Sequence, residues 1–164
     1  MGNSLQRTQI VEIDDHQYRA DITCMAYFCY FCEGKTREDI IIGTSIGSIG
    51  VISGNKLYLI EGAYHTKMVN CIKVAYIENF MVILTAGMDD LIKIFDKNFR
   101  QLLTINVRKE ERKSNIALAG QSLDLYTCGD TNYLLFGSRC GEIVEHMIGF
   151  HIKKSKKKSK SAVE

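Results

Sequence analysis

Residues Gly62–Asp96 read GAYHTKMVNCIKVAYIENFMVILTAGMDDLIKIFD. Three apolar runs, Val69–Tyr76, Phe80–Leu84 and Leu91–Phe95, are separated by short polar stretches rich in Gly, Asn and Asp. The runs are short and rich in Ile, Val, Tyr, Phe and Thr, the composition of strands rather than helices. The rest of the chain continues the pattern. Further runs of this kind are Ile10–Ile13, Ile22–Phe31, Asp39–Ile42, Ile49–Ile52, Lys56–Ile60, Gln101–Val107, Ser122–Tyr126, Tyr133–Phe136 and Glu142–Ile148. No segment sustains an i, i+3, i+4, i+7 apolar pattern over three turns. Arg108–Ala119 comes closest, but it is too polar early and too short late to be assigned as a helix. Many short strands at close spacing predict an all-β sandwich, barrel or propeller.

Repetition chooses among these. Three segments have a small residue, five variable positions and then Ile: Gly43–Ile49, Ala86–Ile92 and Gly137–Ile143. Each follows one apolar strand and leads into another. A further strand stands before each, at Ile22-Thr23-Cys24-Met25, Val69-Asn70-Cys71-Ile72 and Ser122-Leu123-Asp124-Leu125. The first two segments start 43 residues apart and the second and third 51. A period near 40–45 with four strands per unit marks propeller blades. The expectation is a partial β-propeller of about three four-stranded blades, over roughly residues 18–62, 63–107 and 108–152. Residues 1–17 form an N-terminal segment whose strand, Gln9–Asp14, is expected to belong to a neighbouring blade as its outer strand. Lys56–Ile60 and Gln101–Val107 are the outer strands of the first two units, and the last unit has none of its own. Closed propellers need four blades or more, so the reading is part of a larger ring, completed by further blades from a longer chain or another subunit.

The middle unit resembles a WD-repeat, with Phe95-Asp96 standing where that family has Trp-Asp. In the family a loop His, a strand Ser or Thr, a turn Asp and the Trp form a hydrogen-bond chain that braces the blade. The resemblance assigns these roles to His65, Thr85, Asp89 and Phe95, with the last link missing because Phe has no indole N–H. The first and third units have Ile46 and Cys140 where Asp89 sits, and so lack that anchor. One subfamily is closer. The run EGAYHTKMVNCIKV…VILTAGMDDLIKIFDKNFRQLLTI, followed by NIALAGQSLDLY…YLLFGSRCGEIVEHMI, is similar to the echinoderm microtubule-associated-protein-like (EMAP-like) family over about residues 18–150. Departures are the absence of Trp, of a coiled-coil trimerisation segment and of the hydrophobic signature of the family's N-terminal propeller. The resemblance implies a non-catalytic scaffold whose partners are tubulin, microtubules or axonemal proteins, located in the cytoplasm on the cytoskeleton, a cilium or an axoneme.

Composition agrees with a folded domain: 46% of the 164 residues are hydrophobic and 24% charged, which excludes wholesale disorder. No stretch approaches a membrane span of roughly 18 apolar residues, and the N-terminus lacks the apolar block of a secretory signal. A cytoplasmic chain with six reduced thiols is expected. The net charge of +2 conceals an asymmetry, because residues 153–164 hold six Lys and one Glu. The remainder carries about −3. That tail is expected to be disordered, and Lys153, Lys154, Lys156, Lys157, Lys158 and Lys160 are its candidate polyanion-binding residues. Lysines without interleaved aromatics fit an acidic protein surface better than single-stranded nucleic acid.

Other motifs fail on their own chemistry. Cys24, Cys29 and Cys32 have the spacing of an iron–sulfur loop, but the intervening residues are bulky strand formers, so core thiols are the reading. Glu33-Gly34-Lys35-Thr36 lacks the earlier Gly of a phosphate loop, where Cys29 stands, and reads as a solvated connection. Met1-Gly2-Asn3-Ser4-Leu5-Gln6 has Gln where a myristoylation site has Ser or Thr. His16, His146 and His151 are scattered, and the adjacent carboxylates Asp14-Asp15, Asp89-Asp90 and Glu110-Glu111 diverge on strands or turns. No enzyme, cofactor, metal or small-molecule substrate is expected. Two other functions fit the same features: a general WD-repeat adaptor outside the cytoskeleton, and a nuclear nucleic-acid-associated protein directed by the lysine tail.

Overall fold

A computed structural model of the chain describes residues 10–13, 20–32, 34–54, 56–107, 120–138 and 141–149. The described elements are twelve strands: β1 (Ile10–Ile13), β2 (Ile22–Cys32), β3 (Lys35–Thr44), β4 (Ser48–Ser53), β5 (Lys56–Tyr64), β6 (Val69–Ile77), β7 (Phe80–Gly87), β8 (Leu91–Asp96), β9 (Gln101–Asn106), β10 (Gly120–Cys128), β11 (Thr131–Ser138) and β12 (Ile143–Ile148). They form three antiparallel sheets, ordered β1-β5-β4-β3-β2, β6-β7-β8-β9 and β10-β11-β12. The innermost strands lie together, β6 touching both β2 and β10. This is the arrangement of propeller blades around one axis, and the sheets do not close into a ring. The fold is all-β and partial-propeller-like. The lysine tail, residues 153–164, and the segment 108–119 lie outside the described residues.

One expected strand sits elsewhere. β1 was placed by its pattern on a neighbouring blade, but it pairs with β5, Ile10 opposite Ile60 and Ile13 opposite Leu57. β5 is the outer edge strand of the first sheet, and β1 adds to it as a fifth strand. The sheets therefore hold five, four and three strands among the described residues, not four each.

The middle sheet is packed on both sides. Met81, Ile83 and Phe95 face the first sheet, where they meet Phe28, Ile41, Ile49, Val51 and Ile60. Val82, Leu84 and Ala86 face the third sheet and meet Leu123, Leu134, Phe136 and Ile148. Strand alternation sends successive residues of β7 to opposite layers. Each of the larger of these side chains, Val, Leu, Ile, Met or Phe, contributes about 1.5–3 kcal/mol when fully buried, so these two layers hold the sheets together.

The seven-residue segments of the sequence share one geometry. Their first and last residues pair across the hairpin in every sheet: Gly43 with Ile49, Ala86 with Ile92, Gly137 with Ile143. The fifth residue of each takes a positive φ, at Gly47, Asp90 and Gly141, a conformation that Gly and Asp tolerate. Its N–H bonds back to the second residue's carbonyl, on Thr44, Gly87 and Ser138 respectively, at 3.1, 3.2 and 3.1 Å. The innermost strands repeat too, with a register shift at Ile22/Cys24, Val69/Cys71 and Gly120/Ser122. Past each shift a side chain faces the segment's first residue, pairing Cys24 with Gly43, Cys71 with Ala86 and Ser122 with Gly137. A Cβ at Gly43 would lie 2.7 Å from Cys24 Sγ, and one at Gly137 2.6 Å from Ser122 Oγ. That is why the segment begins with a small residue.

Candidate functional site

The connection from β5 to β6 carries His65 out of the first sheet and across the β7–β8 hairpin. Its backbone N–H bonds the carbonyl of Gly47 at 2.8 Å, tying it to the first sheet. Its ring bonds the middle sheet, with Nε2 2.8 Å from Thr85 Oγ1 and Nδ1 2.9 Å from Asp89 Oδ1. Asp89 Oδ2 accepts the Thr66 N–H at 2.8 Å, and Oδ1 accepts the Leu91 N–H at 3.3 Å. Three of the four residues assigned by resemblance are thus in one bonded chain. The fourth, Phe95, is fully buried in the layer between the first and middle sheets, where its ring packs without a polar link.

The protonation states follow from the surroundings. Burial pushes the His65 imidazole below its ordinary value, and the nearby Asp89 carboxylate opposes that only in part. Burial acts to raise Asp89, but bonds from His65, Thr66 N–H and Leu91 N–H outweigh it and hold the carboxyl below the usual range. A neutral ring has one proton and an ionised carboxylate only accepts. The proton therefore sits on Nδ1 and is donated to Asp89, while Nε2 accepts the Thr85 hydroxyl. Lys93 completes the cluster: its Nζ donates to the Tyr64 carbonyl and lies 5.6 Å from the centre of the Tyr64 ring. Burial lowers its pKa, opposed by Asp89.

A hydroxyl, an imidazole and a carboxylate in series are also the parts of a nucleophilic triad. Here the hydroxyl is out of reach. Thr85 is 0% exposed in the middle of β7, so no substrate carbonyl can approach it. The arrangement braces a turn. Gly87 makes room for it: a Cβ there would lie 2.4 Å from His65 Nδ1 and 2.6 Å from Asp89 Oδ1.

The first and third sheets cap the same point of the turn in another way. The sixth residue's N–H, on Leu91 in the middle sheet, is bonded by Asp89. In the first sheet the Ser48 N–H bonds Thr44 Oγ1 at 3.0 Å, and in the third the Glu142 N–H bonds Ser138 Oγ at 3.1 Å. Sequence reading placed Ile46 at an anchor position and took that turn to be unanchored; the anchor has moved two residues earlier, to Thr44. The signal was there in the pairs Gly43-Thr44 and Gly137-Ser138.

The cysteine spacing resolves as a strand. Cys24 and Cys29 both lie on β2, five residues apart, so their side chains point to opposite faces. Cys24 is part-buried and burial pushes its thiol up to about 11, whereas Cys29 is exposed, so the core-thiol reading does not hold for Cys29. Among the described residues no cluster of His, Cys, Asp and Glu is arranged to hold a metal ion. Gly34 is in the β2–β3 turn with φ of 76°, and Lys35 opens β3. β5 arches away from β4 between Leu59 and Tyr64, leaving an open groove of about 280 Å³ beside Ser48, Glu61 and Tyr64. Lys153, Lys154, Lys156, Lys157, Lys158 and Lys160 lie outside the described residues. Among the described residues there is no helix long and apolar enough to cross a membrane. Comparison with protein-family models finds no match, and no curated protein matches the sequence.

Proposed function

We propose that the chain is a non-catalytic interaction scaffold that docks on microtubules or axonemal proteins through the loops between its strands. The scaffold reading is carried by the braced turn at His65, Thr85 and Asp89. Its reactive-looking groups are sealed from substrate, and its hydrogen bonds hold the loops of two sheets in fixed relation. Rigid scaffolds that present loops are a common basis for binding. The microtubule as partner comes from the likeness of Glu61–Ile105 and Asn115–Ile148 to the EMAP-like family. In this reading the protein works in the cytoplasm, on the cytoskeleton or in a cilium. The lysine tail adds long-range attraction to acidic tubulin tails, and such attraction weakens steeply with salt.

Co-sedimentation with stabilised microtubules tests this, using the whole chain and a version ending at Ile152, each at low and high salt. Pelleting that survives tail removal and salt is the expected result. Pelleting that disappears with the tail reduces the interaction to lysine electrostatics. No pelleting of either version overturns the microtubule reading.

A further inference from the structure

Each sheet has two faces, and the repeat defines which is which. In the first sheet the face containing Ile41 and Gly43 meets the middle sheet, and in the middle sheet the equivalent face, with Leu84 and Ala86, meets the third. The same face of the third sheet contains Leu135 and Gly137 and has no sheet packed on it among the described residues, although its Asp124 is ion-paired with Lys73 of the middle sheet at 2.8 Å. The register lays Tyr126-Tyr133-Met147 and Ser122-Gly137-Ile143 on either side of a central row in which Leu135 stands between the carboxylates Asp124 and Glu145. Ile143 is 81% and Met147 65% exposed. At the other end, no sheet among the described residues packs on the opposite face of the first sheet. There the rows are Met25-Ile42-Gly50-Leu59 and Tyr27-Ile40-Ile52-Leu57; the β2 side is exposed, Met25 at 64% and Tyr27 at 60%, while Ile42 within the first row is 0% exposed. By their position in the repeat these two faces correspond to the two halves of the interface that the chain already builds twice, with Asp124 and Glu145 flanking Leu135 where Ala26 and Val51 flank Ile41.

The strands tell the same story. The outer strand of one sheet leads into the inner strand of the next at β5 to β6 and at β9 to β10. By that rule β1, which leads into β2, belongs outside a sheet that precedes the first. The first sheet has one strand beyond four, and the third has one fewer, with the β12 edge unpaired among the described residues. An unpaired edge is a template for a strand from another chain.

We propose that the chain self-associates head to tail. The open face of the third sheet packs on the open face of the first sheet of a second copy, and β1 of that copy moves from β5 to the β12 edge as the missing outer strand. Two copies make six sheets, within the range of closed propellers, and a head-to-tail contact that closes on itself stops there. The proposal rests on the repeat of the sheets and not on microtubules, so the two readings can fail separately.

Light scattering on the whole chain, without microtubules, reads the result. The expected mass is twice 18.6 kDa, falling toward one chain on dilution. Met25→Lys and Met147→Glu sit on exposed positions of opposite faces, so each variant folds and each alone runs as a single chain. Mixed in equal amounts they regain the doubled mass, because the pair has one unaltered interface and one in which the introduced charges are opposite. In hydrogen exchange, the β12 amides gain protection only in the doubled form. Wild type that stays a single chain at every concentration overturns the proposal. So does a doubled mass that both variants keep, a mixture that stays single, a mass that climbs past two copies, or doubling without protection of β12.

Discussion

Replacing Gly87 by Ala adds one methyl group at the most crowded point of the blade turn. The backbone there does not require glycine, since Gly87 is not among the positive-φ residues. On chain entropy alone the change would stabilise by about 0.4–1 kcal/mol. Sterics reverse the sign. The new Cβ would stand 2.4 Å from His65 Nδ1 and 2.6 Å from Asp89 Oδ1. His65 cannot retreat, because its Nε2 is bonded to Thr85 and its N–H to Gly47. Asp89 is held by the Thr66 and Leu91 amides. The bond between them must therefore open. A hydrogen bond to a charged group contributes roughly 1.5–3 kcal/mol, and overpacking a buried site costs about 1–3. The net loss is about 2–4 kcal/mol, read as a lower urea midpoint or a melting temperature down by roughly 5–15 °C. A double-mutant cycle isolates the cause. With His65→Ala already present the contact to Nδ1 is gone and only the one to Asp89 Oδ1 remains, so Gly87→Ala should cost about half as much or less, a coupling of about 1 kcal/mol or more. A loss under about 0.5 kcal/mol in wild type, or an undiminished loss beside His65→Ala, would refute the steric account.

Gly47→Ala should be worse, because φ is 92° and the Cβ would meet the His65 backbone oxygen at 2.2 Å; a loss of about 3 kcal/mol or more is expected by urea titration, or failure to fold. Acid should weaken the fold in two stages. Neutral His65 contributes stability that is complete above its unfolded value of about 6.5 and is lost as pH falls toward its lower folded value, at no more than about 1.4 kcal/mol per pH unit. Asp89, also held below its ordinary value, loses its contribution as pH falls through its folded value, below about 3.9. His65→Gln should flatten the first stage only, in urea midpoints measured from pH 8 to 3. The Lys73–Asp124 ion pair, 2.8 Å long and part-exposed between the middle and third sheets, is expected to contribute under about 1 kcal/mol. Lys73→Met should then shift the midpoint little, and that shift should vanish in high salt.

Much of the architecture was legible because one backbone pairing recurs. The small residue and the Ile six positions later face each other across the hairpin, so a steric requirement and a packing requirement fall at fixed spacing. The braced turn was legible through family likeness, since His65, Thr85 and Asp89 are far apart in sequence and no local pattern joins them. β1 was not legible. Four residues, Ile-Val-Glu-Ile, say strand but carry nothing that selects a partner edge, and edge choice depends on which strand is left open in space. The β2–β3 hairpin also ran further than its apolar core, to Cys32 and Lys35, because cross-strand bonds continue through polar residues such as Thr36 and Glu38 once the register is set.

The three turns explain why the middle blade alone carries a family-like signature. All three must satisfy the same backbone N–H at the sixth position, and a hydroxyl at the second position does it in the shortest way, as Thr44 and Ser138 do. In the middle sheet that place is taken by glycine, because His65 needs the space above it. The cap then passes to Asp89, whose second oxygen holds Thr66 and whose first holds the imidazole. His65, Gly87 and Asp89 are one solution and Thr44 or Ser138 another. In the place that His65 occupies, after β5, the chain following β9 has Val107, whose N–H bonds the Asp90 carbonyl at 3.0 Å as the His65 N–H bonds Gly47. Valine has no ring to anchor, so the third sheet needs no aspartate in its turn. The absence of the signature from the outer blades is therefore a change of capping chemistry with the hairpin geometry kept.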